Sequence, residues 1–248
     1  MTTLAAPGRI RLLLVPIVVA LAVGGLYAYV ALTHQFDPYI LNFKYVSTRL
    51  VQHIELSALS FGLALMIGVP LGIVLSTAGG LVRVPVFILA NLGQAIPSVG
   101  ILALGFSVIG LGIQGAILAL VIYAVLPILR NTLVGLEGVD RGVQEAARGM
   151  GMTNRQMLFR VRLPLASPVI FSGLRVSLVL VVGTATLATF VAGGGLGDLI
   201  AVADFYHPTP ILVGAVLVSA LALLADWALG LLERLLTPRI EDIRRSTT

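Results

Sequence analysis

A chain of 248 residues that is 58% hydrophobic and 11% charged cannot cover a water-facing surface, since soluble domains carry about 25% charge. Its mean hydropathy of +1.05 makes lipid its solvent. The lack of cysteine excludes disulfide and thiolate chemistry, and the net charge of +5 is explained by where the arginines lie rather than by nucleic acid.

Six apolar stretches approach the ~20 residues that a bilayer requires: 10–32, 54–76, 84–109, 113–133, 169–192 and 211–232. Backbone polar groups in lipid must be satisfied internally, and no period-2 alternation suggests a barrel. The expected fold is therefore an all-α integral membrane protein of about six transmembrane helices. Arg9, Arg11, Arg83, Arg130, Arg141, Arg148, Arg155, Arg160, Arg162, Arg234, Arg239, Arg244 and Arg245 gather at one set of ends. Lys44 and Arg49 lie at the other. The positive-inside rule then makes both termini cytoplasmic, with tails 1–9 and 233–248.

In chain order, the first stretch exceeds the about 7–15 apolar residues of a signal-peptide core, so a retained helix is expected. Residues 33–53, with His34, Asp37, Lys44, Arg49 and His53, read as a solvated outer loop. The second span carries Gly62, Gly68, Pro70 and Gly72, small residues suited to close helix packing. The third is interrupted by Asn91, Gln94, Pro97 and Ser98. Amides in lipid must face protein or a watery path, and Pro97 kinks the helix, so structural and path-lining readings both stand. The fourth ends at Arg130, placed to snorkel to the headgroups.

Residues 140–168, DRGVQEAARGMGMTNRQMLFRVRLPLASP, form the longest polar run. Asp140 caps a short helix reaching about Arg148, and Gly149 and Gly151 stop it. Thr153 and Gln156 make a capping box for a second, with Met152 and Met157 as a hydrophobic staple. Pro164 and Pro168 are expected to end that second helix.

In the fifth span, Arg175 either reaches back to the interface or pairs with a partner subunit. Thr184 and Thr186 serve packing or a path wall. Gly193, Gly194, Gly195 and Gly197 cannot sit in a stable helix, so a broken, protein-covered segment follows at the outer face. Asp198 is expected to cap the next helix, or else to face a bound subunit. Trp227 is an interfacial anchor in the sixth span, while Asp226 and Arg234 have poor spacing for a pair.

There is no G-x-x-x-x-G-K-[ST] loop for ATP, no metal-ligand cluster and no intramembrane row of acids for a proton relay. No enzyme activity, metal or cofactor is expected in this chain. A transporter of this composition needs an external motor.

Glu145-Ala146-Ala147, Gly151, Val161 and Leu163-Pro164 match the spacing of the EAA loop of ABC importer permeases, with Val161 where Ile is usual. The segments LPILRNT, EAARGMGMT, GTATLA and GGLGDLI resemble the osmoprotectant permeases of the binding-protein-dependent type-1 importer family, and QAIPS is similar to a QTIPS segment of one subfamily. The likeness covers about residues 47–232. It implies the type-1 permease fold in a bacterial cytoplasmic (inner) membrane. It also implies coupling to a separate ATPase, which carries ATP and Mg, through Glu145, Ala146, Ala147, Gly151, Leu163 and Pro164. A second permease subunit, identical or related, and an extracytoplasmic substrate-binding protein complete the implied assembly. Quaternary amines (glycine betaine, choline or carnitine) are the implied cargo. Gln94, Pro97, Ser98, Thr184 and Thr186 are the candidate path residues. A methionine-type amino-acid permease, or a non-transporting membrane enzyme or scaffold, is the alternative. Ala192-Gly193 departs from the resemblance, which leads one to expect Gly-Ala before GGLGD.

Overall fold

The computed structural model describes residues 7–33, 39–201 and 208–237, and they form an all-helical bundle. The elements are α1 (Pro7–Thr33), α2 (Phe43–Leu75), α3 (Gly80–Ala95), α4 (Ser98–Ile109), α5 (Ile113–Glu137), α6 (Arg141–Gly149) and α7 (Asn154–Met157). A π-helical turn (Leu158–Arg162) leads into α8 (Leu163–Thr184). A 3-10 turn (Ala185–Val191) then precedes α9 (Gly197–Ala201) and α10 (Thr209–Leu236). His34, Asp37 and most of the C-terminal tail lie outside the described residues.

Among the described residues, five helical segments are long and apolar enough to cross a membrane. Two shorter apolar helices, α3 and α4, stand where the sequence predicts the third span. The sequence predicts one kinked helix over 84–109, but the helix breaks at Ile96, which is extended at φ −72° and ψ 129°. Pro97 causes the break: its ring disfavours the helical region for the residue before it, and Pro97 itself is the N-cap of α4.

A second correction concerns α2. It begins at Phe43, not near 54, so most of the expected outer loop is helix. Asn42 caps it, accepting from the Tyr45 N–H at 2.8 Å. At 33 residues it runs ~50 Å, beyond the ~30 Å hydrocarbon layer, so polar side chains are tolerated in its first turns.

Small residues set the core. Gly68 and Gly72 press against Ile128 and Thr132 of α5; a Cβ on Gly72 would lie 2.6 Å from Thr132 Cβ. This i, i+4 pair of glycines brings α2 and α5 together as small-xxx-small interfaces do. On the other side of α5, Gly173 of α8 packs on Asn131 and the Pro127 carbonyl, and Ser177 Oγ donates to Ala124 O at 2.9 Å. Leu13, Leu21 and Tyr27 of α1 are exposed, as expected of a lipid-facing perimeter. Val15 of α1 borders the same cavity as Trp227 and Arg234, and Ser167 meets Thr237. The start of α1 and the end of α10 therefore lie at the end of the bundle that carries α6.

Candidate functional site

Two features stand at opposite ends of the bundle, with a polar seam between them. The first is the elbow between α5 and α8. Asp140 Oδ1 accepts the Val143 N–H at 3.1 Å and starts α6, as expected from sequence. Gly151 takes φ +79°, the left-handed conformation that glycine adopts without strain, and turns the chain toward α7. The capping box is present: Gln156 Oε1 accepts from the Thr153 N–H at 2.9 Å, and Thr153 Oγ1 accepts from the Gln156 N–H at 3.3 Å. Met157 is buried and Met152 half-buried.

The expected stop at Pro164 does not occur. Leu163 N–H donates to Leu158 O, five residues back, and the wider π turn carries α7 directly into α8. Pro164 then falls in the first turn of α8, where its missing N–H costs little. Pro168 is exposed within the same helix.

The elbow is tied to the bundle from beneath. Ala147 is buried, Gln144 Nε2 donates to Val139 O at 2.9 Å, and Arg162 Nη2 donates to Leu136 O at 3.2 Å. Its outer face is free: Glu145 and Ala146 are exposed, and Glu145 pairs with no described residue. Val143, Met150 and Phe159 are 42%, 71% and 57% exposed. Apolar side chains this open on a helix otherwise rich in charge form a surface suited to a protein partner.

The polar seam gathers part of the candidate path set. Gln94 Nε2 donates to Tyr123 O at 3.1 Å. Ser98 and Thr184 line, with Tyr123, a crevice of about 10 Å3, too small for an organic solute. The Thr184 hydroxyl goes to Leu180 O at 2.7 Å. Pro97 is exposed at the head of α4. Thr186 stands apart, donating to Gly183 O at 2.8 Å, with its backbone against Gly197.

At the far end, Gly193–Gly197 folds onto the first turns of α2. His53 is fully buried; its Nε2–H donates to Val182 O at 3.0 Å, so Nδ1 is free to accept the Leu196 N–H at 3.3 Å. Gln52 Oε1 accepts from the Gly195 N–H at 3.4 Å and from Arg49 Nη1 at 2.9 Å. Arg49 Nη1 lies 3.0 Å from Asp198 Oδ2, and Thr189 Oγ1 donates to Asp198 Oδ1 at 2.5 Å. Asp198 is thus inside the first turn of α9 with its carboxylate engaged by α2, rather than capping the helix. Gly194 and Gly195 have φ of +73° and +93°, and a side chain on Gly197 would overlap the Thr186 carbonyl. Sequence reading missed Arg49, Gln52 and His53, although their i, i+3, i+4 spacing is that of one helix face.

A third cluster was also missed. Arg175 of α8 binds Asp226 of α10 through both Nε and Nη2, each at 2.7 Å, and its Nη1 lies 3.8 Å from Glu233. Neither reach to the interface nor a partner subunit is needed to place it. Arg83 likewise makes a two-pronged pair with Glu137, one prong at 3.0 Å, joining α3 to the end of α5.

Comparison with known proteins places this arrangement. A family profile described as "Binding-protein-dependent transport system inner membrane component" matches residues 68–238. The choline transport system permease protein OpuBB of Bacillus subtilis is 43% identical over 192 residues, covering 75% of this chain and 86% of that protein. The glycine betaine/carnitine/choline transport system permease protein OpuCB of the same organism is 40% identical over 193 residues, covering 76% and 87%. An inward-facing structure of the MetNI methionine ABC transporter is similar, with a TM-score of 0.72 at 25% identity, covering 82% of this chain and 100% of that one. The chain belongs to the family of binding-protein-dependent transport system inner membrane components.

Proposed function

We propose that the chain is the permease subunit of an ABC importer for a quaternary-amine osmoprotectant: glycine betaine, choline or carnitine. The observation that carries this reading is the elbow, capped at both helices, anchored through Ala147 and Arg162, and open at Val143, Glu145, Ala146 and Met150. In this reading a separate ATPase binds ATP and Mg and seats α6 in a cleft. A second permease subunit encloses the path, and an extracytoplasmic binding protein delivers cargo. The arginine-rich end, with both termini and α6, faces the cytoplasm.

Substrate class follows the osmoprotectant relatives, which are about 40% identical, over the methionine transporter at 25%. ATP-driven closure moves cargo only because the loaded outward state and the inward state respond differently to it. Glu145→Lys is expected to weaken ATPase association and stop uptake while the chain still inserts. Normal ATPase recovery and uptake in that variant would remove the elbow from its role. Competitive uptake of labelled glycine betaine, choline and methionine, with and without the gene, tests the cargo.

A further inference from the structure

At the end of the bundle opposite α6 lies a cavity of about 450 Å3, lined among others by Tyr45, Arg49, Thr189, Gly194 and Asp198. The volume is within the range of small-molecule sites. Its chemistry is bipolar. Arg49 offers a planar fork suited to a carboxylate, and Asp198 offers a carboxylate suited to a cation. The Arg49 guanidinium lies 4.9 Å from the centroid of the Tyr45 ring, so that ring face already accepts a positive charge. Arg49 and Asp198 are 25% and 20% exposed in their side chains and face one another at 3.0 Å.

We propose that this cavity is a binding site for a zwitterionic quaternary amine, its carboxylate on Arg49 and its ammonium against Tyr45 and Asp198. The inference rests on the permease reading, which places this end outside the membrane. A zwitterion carries one charge to match each member of the Arg49–Asp198 pair. It exchanges the Arg49–Asp198 pair for two ligand pairs and leaves neither side chain uncompensated. A lone cation such as choline takes Asp198 and Tyr45 and leaves the Arg49 guanidinium with only the neutral Gln52 amide. A lone anion leaves Asp198 with only the Thr189 hydroxyl. The cavity therefore favours betaine-like and carnitine-like solutes over choline. The same Asp198 and Gly194 belong to the loop that covers this end of the bundle, so occupancy loosens the contact holding the loop to α2.

The test uses the full chain in lipid nanodiscs and measures binding of labelled glycine betaine, with choline as competitor. Saturable betaine binding is expected, with choline at least about tenfold weaker. Tyr45→Leu keeps the ion pair and is expected to weaken betaine about tenfold, from loss of the cation–π contact. Tyr45→Phe is expected to restore it. Arg49→Gln is expected to abolish the preference of betaine over choline. No saturable betaine binding, equal loss in Tyr45→Leu and Tyr45→Phe, or an unchanged preference in Arg49→Gln each overturns the proposal. Uptake by the assembled transporter separates this from the parent reading. If the native assembly imports none of these amines, the permease reading fails. If it imports them while the Tyr45 and Arg49 variants bind and transport as the native chain does, the cavity assignment alone fails.

Discussion

Removing either partner of the Arg175–Asp226 pair should destabilise the bundle, and the two removals should not be equal. Arg175 is twelve residues into α8, ~18 Å along the helix from Leu163. An unpaired charge at the centre of a membrane helix costs about 2.5–3.5 kcal/mol. Asp226→Leu leaves Arg175 with Glu233, 3.8 Å from Nη1, as a partial substitute, and about 2 kcal/mol of destabilisation is expected. Arg175→Met leaves both Asp226 and Glu233 without their shared cation. Their mutual repulsion adds about 1 kcal/mol, giving about 3 kcal/mol in all. The double variant Arg175→Met/Asp226→Leu replaces the pair with apolar groups and should return to within about 1 kcal/mol of the native chain. Unfolding in mixed micelles, followed by helical circular dichroism, reads all four corners of the cycle. A milder effect for Arg175→Met than for Asp226→Leu, or a double variant worse than both singles, would refute the reasoning.

Gly197→Ala places a methyl group in the Thr186 carbonyl, where backbone rather than a side-chain tip must move; a loss above about 3 kcal/mol is expected, read as a lowered melting temperature of the detergent-solubilised chain. Ala192 holds φ +58°, so Ala192→Gly should stabilise by about 1 kcal/mol in the same assay. Gly193→Ala should lose about 1–3 kcal/mol, because a Cβ there meets Ala188 Cβ at 2.9 Å and Ala116 Cβ at 3.1 Å. Exchanging both residues to the Gly-Ala order is therefore expected to give no net gain.

What could be read from the sequence was what neighbouring residues decide. The capping box of Thr153 and Gln156 closes within three residues, and the Asp140 cap does the same, so both were legible. The apolar stretch 113–133 was legible because α5 is embedded along its length, with Leu120, Ile128, Leu129 and Leu133 buried. The first turns of α2 were not, because Arg49, Gln52 and His53 look like loop residues until their distant partners arrive, 129 or more residues later in the chain. Arg175 and Asp226 are 51 residues apart, so no local spacing could join them. The continuation past Pro164 was hidden because five-residue hydrogen bonding replaces four over one turn, and no residue type announces it.

That π turn also bears on the coupling role proposed for the elbow. Had the chain stopped at Pro164, α6 and α7 would hang from a loop, and a push on them would be absorbed there. Instead α7, the π turn and α8 form one uninterrupted helical path from Asn154 to Thr184. Arg162 binds the start of that path to Leu136 at the end of α5, and Gln144 binds α6 to Val139 just beyond it, so the elbow and the foot of the bundle are tied together. Further along, Arg175 links α8 to α10. At the top, the helix tightens into the 3-10 turn, whose Thr186 is in backbone contact with Gly197. A displacement applied at α6 therefore meets packed helix at each step before it reaches the glycine-rich loop. Physical contiguity alone does not make a coupling route; a population shift of the far loop on seating a partner at α6 is the measurement that would establish one. On the proposed reading, spin labels at exposed Phe190 and Phe43 should report a changed distance when an ATPase partner is added to the native chain, and no change with Glu145→Lys.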